Sequence, residues 1–218
     1  MTSTHGPWHA APLVALDLEG SGAQDRDAEA ILEIAVVPLD AGQPQLADAL
    51  STLVNPGRPI TMRPWLSPGL TNPALGAAPP IGAVEPELAA RLNGRYLVGH
   101  NVRVDWRLLR RHCPTLAPAG LIDTLRLARE LRLAGGNSLT SLLRQLHLID
   151  QVNSAVPHSR PHRALWDTVA VALLLPELIT RIWPSPPALT DLLHRAAVTT
   201  SDDRPTTDAA TEAPDTLF

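Results

Sequence analysis

Lysine is missing altogether: all 18 basic residues of this 218-residue chain are arginine. Cysteine, phenylalanine and tyrosine occur once each, as Cys113, Phe218 and Tyr96. One cysteine excludes an internal disulfide framework and a cysteine-rich zinc site. No apolar run approaches the roughly 18 residues a membrane span needs. The opening MTSTHGPWHAAP has no basic stretch followed by an apolar one, so no secretory signal and no membrane partner are expected, and a cytoplasmic location is the default. The absence of lysine, together with 22 prolines and many alanines, reads as a coding bias rather than as a sign of function.

Charge of either sign is scarce over most of the chain. Hydrophobic residues make up 44%, enough for a sizeable core, and the length suits one α/β domain with tails. The net charge of −4 resides in residues 201–218, where Asp202, Asp203, Asp208, Glu212 and Asp215 face only Arg204. In the remaining chain the acids and arginines balance. A nucleic-acid partner must therefore be met by a local patch rather than by a global field.

The pattern predicts strands over 13–18, 30–39 (AILEIAVVPL), 47–54, 95–99 and 120–123, the first pair joined as a hairpin. Residues 56–86, rich in proline and glycine, read as an irregular loop with short helical turns. Helices are expected over 86–93 with proline at the start, over 102–112 with Asn101 as N-cap, over 124–133, over 138–148 capped by Ser138, over 164–182 and over 187–197. A loop is expected over 150–161. Strands that first form a meander and then alternate with helices imply a mixed sheet with helices on its faces.

Chemistry enters at LVALDLEGSG (13–22). Residues i and i+2 of a strand share a face, so Asp17 and Glu19 project together while Leu16 and Leu18 point the other way. Gly20 and Gly22 leave room there for a substrate backbone. Paired hard oxygen ligands suit Mg²⁺ or Mn²⁺, although two solvated acids at a strand end is an equal reading of this stretch alone. In YLVGHNVRVDWRLL (96–109), Asp105 lies one turn inside a helix, where the helix dipole alone would favour it. In HRALWD (162–167), His162 and Asp167 do not share a helix face. They converge only if His162 stands on the loop leading in, a placement that Pro157 and Pro161 encourage.

Taken together, Asp-x-Glu, then Asp, then His-x4-Asp resembles the DEDDh family of 3′–5′ exonucleases, which includes proofreading epsilon subunits and oligoribonucleases. The likeness runs from about residue 12 to 180 and takes in ILEIAVV, VNPGRPI, LVGHN, LIDTLRLAREL and SLTSLL. It implies an α/β, ribonuclease H-like mixed sheet flanked by helices. The implied layout is an exonuclease domain over 12–183, an N-terminal extension over 1–11, a short C-terminal helix over 184–197 and an acidic disordered tail over 198–218. The resemblance assigns two Mg²⁺ ions, with Mn²⁺ as a substitute, to Asp17, Glu19, Asp105 and Asp167, and a general base to His162. It implies release of nucleoside 5′-monophosphates from the 3′ end of single-stranded or frayed DNA, in the setting of repair or proofreading. An exoribonuclease acting on short RNA and a non-catalytic binding module are the alternatives.

Gly20, Ser21, Gly22, His100, Asn101, Arg103, Trp65 and Trp106 are the candidate substrate contacts. Core packing is the competing role for either tryptophan, and capping for Asn101. Eight arginines fall between residues 101 and 144; Arg103, Arg107 and Arg110 or Arg111 lie at helical spacing on one face, which offers a phosphate-tracking stripe or, equally, a solvated helix face. The family's usual threonine after the glutamate is Gly20 here, its phenylalanine before the middle aspartate is Val104, and its His-Gly-Ile-Thr is SPGLT (67–71). The terminal Leu217-Phe218 resembles the end of the peptide with which replication proteins dock onto a sliding clamp, without that peptide's leading Gln-Leu.

Overall fold

The computed structural model describes residues 6–22, 29–61 and 66–199. A seven-stranded mixed sheet forms its centre: β1 (Leu13–Gly20), β2 (Ile31–Asp40), β3 (Gln43–Pro44), β4 (Leu50–Leu53), β5 (Tyr96–Gly99), β6 (Gly120–Asp123) and β7 (Ala197–Val198). The order is β3-β2-β1-β5-β6-β7, with β4 also on β2. The hairpin expected from the first two apolar runs is antiparallel β1–β2, pairing Asp17 with Ala35 and Glu19 with Glu33. Strands β1, β5 and β6 run parallel, so their carboxyl ends open on one rim. That is where an open α/β sheet presents ligand sites.

The helices are α1 (Asn72–Gly76), α2 (Ile81–Leu92), α3 (Val102–His112), α4 (Thr124–Leu131), α5 (Leu139–Gln145), α6 (Ile149–Ala155), α7 (Ala164–Ile182) and α8 (Leu189–Ala196). One sheet face, carrying Leu13, Ala15, Val37 and Leu39, packs on α4, α7 and α8. The other, carrying Val14, Leu16, Leu18, Ile34 and Val36, packs on α2 and α3. Period-2 alternation therefore assigns Asp17 and Glu19 to the α7 side, in line with Leu13 and Ala15.

Helix α7 runs unbroken through Pro176. A helix-interior proline costs about 3 kcal/mol. Leu174, Leu175 and Leu178 are fully buried around it, each contributing roughly 1.5–3 kcal/mol, so burial outweighs the break. The same balance corrects the expected start of α2. The helix begins five residues before Pro86, because Val84, Leu88 and Leu92 form one buried stripe while Pro86 faces solvent.

Two further expectations are corrected. The 150–161 loop contains α6, which docks where Asn153 Oδ1 accepts the indole N–H of the fully buried Trp166 at 3.0 Å. The strand expected over 47–54 is confined to β4, after a 3-10 turn at Leu46–Asp48. Residues at the two ends are stitched together, with Trp8 N–H donating to Pro187 O and Leu189 N–H to Gly6 O. Trp8 and α8 join the α7-side core, and β7 pairs with β6. Among the described residues no helix is long and apolar enough to cross a membrane. The tail beyond 199, with Leu217-Phe218, and Trp65 lie outside the described residues.

Candidate active site

Three carboxylates from two distant parts of the sequence meet on the rim. One oxygen each of Asp17, Glu19 and Asp167 lies within 4.8 Å of the others. Strand β1 supplies the first two. The first turn of α7, its start directed at the same face of the sheet, supplies the third. Asp105, one turn into α3, stands outside this trio but beside it. Its carboxylate accepts the backbone N–H of Leu18, on the stretch of β1 beyond Ala15 where the pairing with β5 has ended.

Among the described residues the negative charge gathered here is offset only in part, by Arg163. Burial, then the charges of Asp105, Asp167, Glu19 and Glu33, holds the Asp17 carboxyl well above the usual range. Burial, then Asp167, Glu33 and Asp105, pushes Glu19 up to about 8, with Arg163 opposing. Asp105 rises to about 8 through burial, with Asp123 and Asp167 adding, against hydrogen bonds from its own amide and that of Leu18. Asp167 rises to about 7, by burial and the Glu33 charge, against a hydrogen bond from the His162 amide. At 4.8 Å, two like charges repel by about 3–4 kcal/mol at an effective dielectric of about 20. Three such pairs rival a whole domain's stability of about 5–15 kcal/mol. The trio is therefore tolerable only protonated or with a cation among the oxygens, and an all-oxygen donor set fits a hard divalent ion.

His162 sits in the turn before α7, as its convergence with Asp167 requires. It is exposed, at φ 64, a left-handed backbone uncommon for a residue with a side chain. Several candidate substrate contacts turn out to be committed elsewhere. Trp106 is 5% exposed and belongs to the α3-side core, so it takes the packing role. Ser21 is buried and staples the hairpin: its N–H donates to Ala30 O at 2.9 Å and its Oγ accepts the Ala30 N–H at 3.0 Å. Gly20 faces the protein's own chain, since a Cβ there would lie 3.2 Å from Glu29 Oε1 and 3.3 Å from Leu108.

His100 contacts Thr124 Oγ1 at 2.9 Å and Asn137 O at 2.8 Å, so both ring nitrogens are engaged within the fold. Asn101 does not cap α3 with its side chain. It adopts the left-handed region at φ 64, and its backbone N–H donates to Asp123 Oδ1 at 2.8 Å. Its side chain is exposed on the rim, as is part of Arg103. Of the eight arginines, Arg126 turns away to bond Arg195 O.

Sequence reasoning missed two residues at the site. Glu33 on β2, opposite Glu19, is 3% exposed, and it is gripped by Arg163, whose Nη2 and Nε lie 2.7 and 2.8 Å from the two carboxylate oxygens. The signal was present in ILEIAVV, an acid inside a fully apolar strand.

The fold and site thus define a mixed-sheet α/β protein with a cluster of carboxylates whose oxygens could hold a metal ion. The family model for RNase T-type exonucleases matches residues 14–175, and the chain belongs to that family. A DNA polymerase III subunit epsilon-like protein of Rhodobacter capsulatus is 31% identical over 183 residues, covering 80% of this chain and 25% of the relative. The 3′-5′ exonuclease DinG of Bacillus subtilis is 27% identical over 175 residues, 78% of this chain and 18% of DinG. The chain thus spans a quarter or less of these relatives. Exonuclease X, solved in complex with 5′-overhanging duplex DNA, superposes with a TM-score of 0.59 at 29% identity, over 83% of this chain and 98% of that one. Its neighbours among solved structures share the ribonuclease H-like DEDDh exonuclease fold.

Proposed function

We propose that the protein is a metal-dependent 3′–5′ exonuclease that acts on DNA and releases nucleoside 5′-monophosphates. The observation that carries this reading is the meeting of Asp17, Glu19 and Asp167 oxygens within 4.8 Å beside Asp105, at the start of α7 and next to an exposed histidine. Membership of the exonuclease family supports the reaction class. The names of the relatives support DNA and the polarity.

Asp17, Glu19 and Asp167 would hold one Mg²⁺ or Mn²⁺ ion, and Asp17 with Asp105 a second. When bound, the ions supply charge stabilisation at the attacking and leaving oxygens of the phosphodiester. His162, exposed in the turn beside Asp167, accepts the proton of the attacking water. As the new P–O bond forms, the bond from phosphorus to the 3′ oxygen of the penultimate nucleotide breaks; the phosphate leaves on the 5′ oxygen of the released nucleotide, and the 3′ oxygen of the shortened strand takes a proton from solvent. Asn101 and Arg103 flank the rim and meet the substrate backbone.

Oligonucleotides of DNA and RNA labelled at either end, incubated with Mg²⁺ with and without EDTA, test the proposal. Mononucleotides cut stepwise from the 3′ end of DNA, abolished by EDTA, are the expected result. EDTA-insensitive cleavage, or removal from the 5′ end, would overturn it.

A further inference from the structure

We propose that Glu33 and Arg163 form a clamp that positions His162 over the carboxylate site, acting on turnover through the histidine rather than through metal binding. This rests on the exonuclease reading above. Glu33 is committed in full. One oxygen lies 2.7 Å from Arg163 Nη2; the other lies 2.8 Å from Arg163 Nε and accepts the Ala164 N–H at 3.3 Å. This two-pronged geometry fixes direction as well as distance.

The place where the clamp closes gives it its function. Arg163 follows His162 directly and ends the turn before α7. Its carbonyl accepts the Asp167 N–H at 3.0 Å, while the amide of His162 donates back to the Asp167 carboxylate. The His162 backbone is therefore held from two directions, by β2 through Arg163 and by α7 through Asp167. Its ring is exposed, so packing does not set its position, and its left-handed backbone needs a surrounding that enforces it. The guanidinium also lies against the 66–70 loop: Nη1 is 3.2 Å from where a Gly69 Cβ would stand. Next to it, Arg160 Nη2 donates to Pro68 O at 2.7 Å.

Stability alone does not account for Glu33. Its charge adds to the repulsion on Asp17, Glu19 and Asp167. A buried ion pair can often be replaced by apolar residues without loss of stability. A fifth acid beside a cluster of four that already repel is a net cost unless it holds something in place.

A double-mutant cycle separates the roles. Arg163→Met is expected to lower kcat by about 10- to 100-fold, the scale of a misplaced catalytic group, with KM and the Mn²⁺ dissociation constant from calorimetry held within about twofold. Arg163→Lys should recover part of the loss. In a His162→Ala background the Arg163→Met change should cost less than about twofold more. Should Arg163→Met fail to fold, the isosteric Glu33→Gln carries the same comparison. Losses that multiply in the double variant, or a fall in Mn²⁺ affinity that accounts for the lost turnover, would overturn the clamp while leaving the exonuclease reading intact. A wild-type protein with no metal-dependent hydrolysis would overturn both.

Discussion

Replacing Glu19 by glutamine should make the metal-free protein less sensitive to rising pH. The Glu19 carboxyl, ordinarily near 4.5, is held at about 8 in the fold. A carboxyl with a raised folded pKa keeps its proton in the fold after the unfolded chain has lost it. Stability then falls as pH climbs from the unfolded value through the folded one, here from about 4.5 to about 8. Each such proton contributes a slope of about 1.4 kcal/mol per pH unit. Between pH 5.5 and 7.5, allowing for the water that still reaches this half-buried side chain, wild type should lose about 2 kcal/mol more than the variant, or roughly 4–8 °C in Tm for a chain of this size. Asp17, whose own rise owes part to Glu19, pushes the same way. Melting curves in EDTA at the two pH values measure the difference. Saturating Mg²⁺ should flatten the wild-type dependence, because a cation replaces the protons. Parallel wild-type and variant curves in EDTA would show that burial and the neighbouring carboxylates do not hold the Glu19 proton as the geometry requires.

Asp17→Ala should abolish Mg²⁺-dependent hydrolysis while leaving the circular dichroism spectrum unchanged; wild-type degradation of single-stranded DNA by the purified variant would remove the metal assignment. His162→Ala should lower turnover by roughly 10² to 10⁴ with metal binding retained; a tenfold loss of metal affinity would recast it as a ligand. Asp123→Ala leaves the N–H groups of Asn101 and Leu125 without their acceptor. At about 1 kcal/mol for each of these half-buried groups, the low end of the cost of an orphaned donor, Tm should fall by roughly 4–8 °C, and a near-unchanged melt would show that water replaces the carboxylate.

Much of this fold is legible because the apolar runs are clean. The 120–123 strand and the 102–112 and 164–182 helices appear at the limits their patterns imply. The period-2 rule also places Asp17 and Glu19 on one face. Where reading failed, tertiary burial overrode local rules. Pro86 resembles a helix start, yet the stripe of Val84, Leu88 and Leu92 carries the helix past it. Helix α6 has few apolar residues, and its docking depends on the Trp166 indole finding Asn153. Asn101 has a capping side chain, but the acceptor for its backbone is Asp123, 22 residues further on. Glu33 shows in the sequence only as an acid inside an apolar run, with no spacing that ties it to the other carboxylates. Its meaning lies in the register that sets it opposite Glu19 and in an arginine 130 residues away.

An anomalous difference map from crystals soaked in Mn²⁺ tests the central claim most directly. The account predicts a peak among the oxygens of Asp17, Glu19 and Asp167, lost in Asp17→Ala crystals. A saturated soak with no peak at the end of β1, or with manganese only elsewhere on the surface, would contradict it.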